Sequence, residues 1–130
     1  MYVAVTRNIR VEVTPHFIEE RSAAENDHYF WAYVIEITNE GEETVQLKSR
    51  YWQITDANGR TEEVRGPGVV GETPVLAPGE SFSYTSGCPL GTPSGIMVGR
   101  FQMSDARETP FEIDVPAFSL DSPYAKRSVN

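Results

Sequence analysis

Residues 29–38 read YFWAYVIEIT, and this stretch decides the fold class of the chain. Large apolar side chains occupy the odd-numbered positions from Trp31 to Ile37, whereas the even-numbered face ends in Glu36 and Thr38. A repeat of two, rich in aromatic and β-branched residues, is typical of a β-strand that is buried on one face. We therefore expect the odd-numbered face to lie in the core.

The same alternation recurs on both sides of this stretch. Ile9, Val11 and Val13 alternate with polar residues, and Pro15 is expected to end that strand because proline has no N–H to donate. A short charged strand is predicted at residues 60–65. No window shows a sustained apolar period of 3.6, so no substantial helix is expected. Further inward rows are predicted at Val45 and Leu47; Trp52 and Ile54; Phe82 and Tyr84; Met97, Gly99, Phe101 and Met103; and Phe111, Ile113 and Val115.

The inward positions change parity within one strand region. They are odd-numbered up to Leu47 and even-numbered from Trp52. Since a shift of one residue moves side chains to the opposite face, we predict a β-bulge or kink near Ser49, Arg50 and Tyr51. About seven short antiparallel strands separated by turns indicate an all-β sandwich, with a small barrel as the alternative.

The length of 130 residues suits one domain, which we place at residues 1–120, followed by a polar, flexible tail at residues 121–130. The single cysteine, Cys88, excludes an internal disulfide and fits a reducing compartment. The N-terminal residues lack the apolar run of a signal peptide, and no stretch approaches a membrane span. A cytoplasmic protein that does not bind membranes is expected.

The formal net charge is −8, and no cluster of Lys and Arg offsets it. Such a chain repels polyphosphate backbones at long range, so nucleic acid is not expected among its partners.

Five segments, taken in chain order, resemble the ApaG family. They are RYWQITD at 50–56, GPGVVGE at 66–72, YTSG at 84–87, MVGRFQM at 97–103 and PAF at 116–118. The resemblance implies an immunoglobulin-like or fibronectin-III-like β-sandwich. It also implies a protein like the bacterial members associated with cobalt and magnesium homeostasis and with diadenosine-polyphosphate metabolism. Eukaryotic relatives use the domain as a module of protein-interaction proteins. The family supplies no set of catalytic residues.

The glycine-rich segment matches a nucleotide-binding pattern without its structural context. Gly66, Gly68 and Gly71 satisfy G-x-G-x-x-G, whose glycines let backbone amides approach a pyrophosphate. That motif needs a helix directly after it, but two prolines follow where the helix would run. Two interpretations stay open: glycines required by a tight loop between strands, or a phosphate-binding loop of another kind beside Arg60 and Arg65.

Catalytic and metal sites find little support in the sequence. Cys88 and a histidine, His16 or His28, could form a nucleophile and base, but a lone thiol is more often a small buried hydrophobe. The two histidines lack metal-site spacing, and no cofactor is expected. A hard-cation site is only a guess, from Asp56, Glu62 and Glu63.

The leading hypothesis is therefore a non-enzymatic module that binds another protein. The rival is an accessory protein that binds a small anion, pyrophosphate or nucleotide, with the amides of residues 66–71, and a third is a structural subunit acting through oligomerisation. Trp52 is interpreted as core rather than contact. Val69 and Val70 either form a contact surface with Arg65 and Glu72 as its polar rim, or both fold inward. The candidate site comprises Arg50, Arg65, Gly66, Gly68, Val69, Val70, Gly71 and Glu72.

Overall fold

The computed structural model describes residues 1–125. Within this range the chain forms nine strands and two single-turn 3₁₀ helices, Glu19–Arg21 and Ala24–Asn26. No helix in the described range is long and apolar enough to cross a membrane. The strands are β1 (Tyr2–Thr6), β2 (Ile9–Phe17), β3 (Tyr29–Asn39), β4 (Val45–Asp56), β5 (Thr61–Pro67), β6 (Val75–Leu76), β7 (Ser81–Leu90), β8 (Gly95–Ser104) and β9 (Pro110–Leu120).

Two antiparallel sheets form a β-sandwich of the immunoglobulin or fibronectin-III-like type. One sheet has the order β1-β2-β3-β7, and the other has the order β5-β4-β8-β9, with β6 pairing beside β4. All seven predicted strands are present, and β1 and β6 are additional. β1 could not be recognised from the sequence, because its large apolar residues Val3 and Val5 are exposed instead of buried.

The core lies between the inward faces of the two sheets. The predicted odd-numbered face of β3 is confirmed, since Trp31, Ile35 and Ile37 are at most 1% exposed. The second sheet contributes Trp52, which is also buried and whose ring lies 6.0 Å from that of Phe118 and 5.6 Å from that of Tyr33. Trp52 is therefore a core residue, as the sequence favoured.

Pro15 does not end the second strand, and this prediction is wrong. β2 continues to Phe17, and Pro15 is paired with Tyr33 of β3. The Glu40 amide donates to the Asn8 carbonyl, so the ladder bonds to β3 fall on even-numbered residues of β2 and the odd-numbered ones face β1. β1 starts at Tyr2, opposite Val13, so Pro15 faces an edge where no strand needs an N–H.

The predicted bulge in β4 is confirmed. The pairing of β4 with β8 shifts register between Leu47 and Ser49. The extra residue transfers the inward face from odd to even positions. As a consequence Arg50 lies on the same side of the sheet as Trp52, facing the space between the sheets.

The first residues of the predicted tail are packed against the domain. The Trp31 indole Nε1 donates to the Asp121 carbonyl at 2.7 Å. The Tyr124 ring lies 6.0 Å from the rings of both Phe17 and Tyr29. Residues 121–125 thus contain side chains and backbone groups that contact the domain, and residues 126–130 of the predicted tail lie outside the described residues.

Candidate functional site

The glycine-rich segment, called here the 66–72 loop, begins inside a strand and ends in a tight turn. Gly66 and Pro67 complete β5, which therefore extends two residues beyond the strand predicted at residues 60–65. The Val69 amide donates to the Glu72 carbonyl and the Glu72 amide to the Val69 carbonyl, both at 2.8 Å. The two central residues, Val70 and Gly71, have φ values of 43° and 80°. Two positive φ values in a two-residue connection correspond to a type I′ turn.

The glycine spacing is explained by packing. A Cβ at Gly66 would lie 2.9 Å from Nη2 of Arg50, so glycine leaves room for that guanidinium. A Cβ at Gly68 would lie 2.3 Å from the Glu72 carbonyl oxygen, and the φ of Gly68 is 59°. These contacts support the interpretation of a tight inter-strand loop.

Most of the loop amides are engaged within the protein. The Gly68 amide donates to the Lys48 carbonyl at 2.8 Å, and those of Val69 and Glu72 close the turn. A pyrophosphate cradle requires several free amides converging on one point, together with a helix N-terminus. The 66–72 loop supplies neither the helix nor the converging amides.

Arg50 connects the bulged strand to the 66–72 loop. Its Nη1 donates to the carbonyls of Pro67 at 2.9 Å and Gly68 at 3.1 Å. Nη1 carries two hydrogens, so both are used. The hydrogen bonds found among residues 1–125 leave Nη2 and Nε of this half-buried side chain unused.

The predicted polar rim does not form. Arg65 points to the outer face of the second sheet, where it pairs with Glu63 at 3.2 Å and lies 4.6 Å from the Tyr51 ring centroid. Alternation along β5 causes this, because Val64 faces inward and Arg65 must then face outward. Glu72 is exposed on the turn.

The two valines of the loop adopt different positions. Val69 is fully buried in the core, whereas Val70 is 55% exposed. The sequence alternatives had treated the pair as one unit. Of the two valines, only Val70 is available as a contact residue on the surface of the loop.

A cleft of about 360 Å³ opens between the two sheets beside this loop. We call it the β5–β7 cleft, because it lies between the inward faces of β7 on one side and of β4 and β5 on the other. Its apolar lining includes Trp52, Ile54, Val64, Val69, Pro89 and Met97. Its polar lining includes Tyr33, Arg50, Glu62, Tyr84, Ser86 and Cys88.

Opposite charges occupy the two ends of the β5–β7 cleft. Arg50 pairs with Gly66 in the register of β4 and β5, and Glu62 pairs with Ile54, four residues further along. At the rise of a β-strand this separates the two ends by about 13 Å. The Arg50 charge acts on Tyr84, and the Glu62 charge acts on Cys88, so Tyr84 lies toward the cationic end.

Tyr84 carries a buried hydroxyl without a partner. The residue is 7% exposed, and its Oη makes no hydrogen bond within the described part of the chain. Burial raises the pKa of Tyr84 far above its ordinary value, Tyr33 adds to the rise, and the Arg50 charge opposes it. Burial likewise raises the pKa of Tyr33, while the neighbouring Ser86 hydroxyl opposes that rise. Both phenols are therefore neutral hydrogen-bond donors at physiological pH.

Cys88 has the properties of a structural thiol. It is 3% exposed, and burial raises its pKa to about 11, with a smaller contribution from the Glu62 charge. A neutral thiol is a poor nucleophile. Neither His16 nor His28 lines the β5–β7 cleft, so the cleft does not combine the thiol with a histidine base.

β7 borders the cleft as an open edge strand of ten residues. The Asn39 amide donates to the Glu80 carbonyl, which places the ladder bonds to β3 on even-numbered positions. The N–H groups of Ser83 and Thr85 therefore point to the open edge. Pro89 is also at an odd-numbered position that faces the open edge, so its missing N–H breaks no pairing.

The opposite side of the sandwich is closed. There, Thr6 Oγ1 accepts from the Asp114 amide at 3.2 Å, and the Tyr2 hydroxyl accepts from the Ser119 amide at 3.3 Å. Side chains of β1 thus cover amides of β9. Access between the sheets is open on the side of β5 and β7.

A larger cavity of about 530 Å³ lies at one end of the sandwich, around Asn39. Its buried amide is fully engaged, since Nδ2 donates to the carbonyls of Glu43 and Leu76, and Oδ1 accepts from the Gly41 amide. Among the described residues, none that line this cavity has a buried side-chain N or O atom without a partner, in contrast to Tyr84.

The three carboxylates considered for a hard cation are not brought together. Asp56 accepts from the amides of its own turn, Glu63 binds Tyr51 on the outer face, and Glu62 lines the β5–β7 cleft. No cluster of three or more His, Cys, Asp or Glu side chains suited to a metal ion occurs among residues 1–125.

Comparison with known proteins places these features in a family. The family model described as the ApaG domain matches residues 19–105. A protein of Rhodopseudomonas palustris named Protein ApaG is 65% identical, and one of Brucella anthropi is 61% identical, each over the full length of both chains. A crystal structure described as an ApaA protein of Bordetella pertussis has a TM-score of 0.87 and 46% identity, covering 90% of this chain and 95% of that one.

Proposed function

This chain belongs to the ApaG domain family, and we propose that it is a non-enzymatic module that binds an extended segment of another protein along the open edge of β7. The observation that carries the proposal is an uncharged ten-residue edge strand beside an open cleft. An added strand would pair with the outward N–H and C=O groups of β7. Its alternate side chains would then enter the β5–β7 cleft.

The charge distribution over the edges supports this choice. β5 carries Glu62, Glu63 and Arg65, whereas β7 reads SFSYTSGCPL and carries no charge. Charged residues on an edge strand oppose pairing with another chain. The cleft chemistry supports a binding role as well, because its thiol is neutral and unaccompanied by a base.

The test uses random twelve-residue peptides displayed on phage and selected on the immobilised protein. Selected peptides are labelled with a fluorophore, and their affinities are measured by anisotropy for the wild type and two variants. Thr85→Pro removes an outward N–H, and Thr85→Ala keeps it while removing the same side chain. We expect Thr85→Ala to bind as the wild type does and Thr85→Pro to bind about tenfold more weakly or worse.

Urea denaturation of both variants verifies that the fold is kept. The proposal fails if no peptide is enriched, or if the peptides bind the folded proline variant as tightly as the alanine variant. Light scattering covers the alternative of self-association. A wild-type dimer that becomes a monomer in Thr85→Pro would replace the partner protein by a second copy of this chain. Turnover in a hydrolase screen that one point substitution abolishes would refute the non-enzymatic role.

A further inference from the structure

We infer that the end of the β5–β7 cleft formed by Tyr84 and Arg50 is a recognition site for a carboxylate attached to an apolar group. The inference rests on the proposed function for the identity of the partner, and on the cleft itself for the chemistry. It concerns a different part of the ligand from the backbone that would pair with β7.

The buried hydroxyl of Tyr84 is the first observation. A buried donor left without a partner costs free energy, which a ligand acceptor at this position would recover. Tyr84 lines the open cleft, its Oη is buried, and no described residue accepts its hydrogen. The free protein therefore lacks an acceptor at this point.

The guanidinium of Arg50 is the second, independent observation. Its Nη1 is fixed by the carbonyls of Pro67 and Gly68, which holds the planar group in one orientation. Gly66 provides the space in which the guanidinium lies. The Nη2 and Nε donors remain for a ligand, and two donors on one side of a guanidinium fit the two oxygens of a carboxylate.

The surroundings select the class of anion. The cleft contains the cation of Arg50, the neutral phenol of Tyr84 and, at its far end, the Glu62 carboxylate. This set of charges matches a ligand with a single negative charge better than pyrophosphate, which carries several. The half-buried Ile54 and Val64 side chains provide an apolar surface in the cleft. The ligand is therefore a carboxylate whose neighbouring atoms are hydrocarbon, such as an acidic side chain, a chain terminus or a free aliphatic acid.

The experiment titrates ¹⁵N-labelled protein with hexanoate, and with hexanamide as a neutral control of the same shape. Tyr84→Phe removes only the hydroxyl, and Tyr51→Phe is the matched control, because the Tyr51 hydroxyl lies on the outer face. Hexanoate is expected to shift the amides of β7 and the 66–72 loop. It should bind Tyr84→Phe about tenfold more weakly, and Tyr51→Phe as it binds the wild type.

The urea midpoint of Tyr84→Phe is expected to equal or exceed that of the wild type, since the lost hydroxyl has no partner. Phage-selected peptides prepared as free acids, as C-terminal amides, and with Glu or Asp changed to Gln or Asn distinguish the sources of the carboxylate. A loss on amidation identifies the chain terminus, and a loss on side-chain substitution identifies an acidic residue.

The inference is overturned if hexanamide binds as well as hexanoate, if Tyr84→Phe leaves every carboxylate affinity unchanged, or if pyrophosphate binds this end more tightly. It is also overturned if neither hexanoate nor any peptide carboxylate depends on Tyr84. Binding of hexanoate without any edge-dependent peptide would retain this site and reject the proposed function. Peptides whose binding depends on the edge of β7 but not on Tyr84 would retain the proposed function and reject this site.

Discussion

The strained turn of the 66–72 loop provides a sharp prediction, because two adjacent valines should respond in opposite directions. Val70 has a φ of 43°, a conformation that β-branched residues rarely adopt. Left-handed backbone costs a residue other than glycine about 1–2 kcal/mol, and asparagine tolerates it best. Val70→Asn would place Asn-Gly, the preferred type I′ pair, at the centre of the turn.

The magnitude follows from exposure. Val70 is 55% exposed, so it retains less than half of the roughly 1.5 kcal/mol that full burial of a valine provides. Relief of strain minus this loss predicts a gain of about 0.5–1 kcal/mol in the free energy of unfolding for Val70→Asn. Val69→Ala is the control at the adjacent position. Val69 is fully buried, so its truncation should lose about 2 kcal/mol.

Urea denaturation followed by tryptophan fluorescence measures both changes in parallel. The dependence of the free energy on urea should stay constant, so that the midpoint alone reports stability. A loss of stability in Val70→Asn would refute the reasoning, because it would mean that the valine side chain contributes more than the strain of its backbone. A neutral Val69→Ala would contradict the burial on which the comparison rests.

Three further predictions concern the cleft. Trp52→Ala should lose about 3–5 kcal/mol in urea denaturation, and a loss below about 1 kcal/mol would contradict its place in the core. Cys88 has its pKa raised from 9.0 to about 11, so iodoacetamide should alkylate it about a hundredfold more slowly at pH 8 than an ordinary thiol; alkylation of the native protein at the ordinary rate would contradict this. The raised pKa values of Cys88, Tyr33 and Tyr84 mean that the unfolded chain loses these protons first, so their contribution to stability should be full at pH 8 and fall as the pH rises through the ordinary values of 9.0 for the thiol and 10.0 for the phenols. Urea midpoints from pH 8 to pH 11 measure this, and the decline should be smaller in Tyr84→Phe.

Much of the fold could be predicted because burial acts on each strand separately. In β3 one face lies on the core and the other does not, so the alternation from Trp31 to Ile37 records the burial directly. The parity change after Leu47 records the bulge in the same way. β1 was not predicted because Val3 and Val5 face outward, whereas the apolar side chains of a strand usually face the core. The prediction at Pro15 was wrong because the sequence of β2 alone does not show which side of the strand lacks a neighbour. That side depends on where β1 begins.

The candidate site could be predicted only in part. The 66–72 loop stands out through its glycines, and its approach to Arg50 follows from a hairpin between β4 and β5. The β7 wall of the cleft, with Tyr84 and Ser86, could not be found in this way, because it belongs to the other sheet and no local pattern records contacts between sheets. The outward position of Arg65 could not be predicted without the register of β5, since a shift of one residue moves a side chain to the opposite face of the strand. The absence of charge from SFSYTSGCPL was a usable signal in a chain of net charge −8.

Two features of β7 are energetically unfavourable in the free protein: the buried hydroxyl of Tyr84 and the uncharged open edge. A phenylalanine at position 84 would fill the same space and avoid an unsatisfied donor, whose cost of about 1–3 kcal/mol is a large part of a typical stability of 5–15 kcal/mol. An edge without charges likewise forgoes the usual protection against pairing with another chain. Tyr84 and Thr85 are adjacent on this strand, one directed into the cleft and the other presenting its N–H to the open edge. A single extended ligand would satisfy both groups at once, so the two features that are unfavourable in the free protein have one common physical explanation.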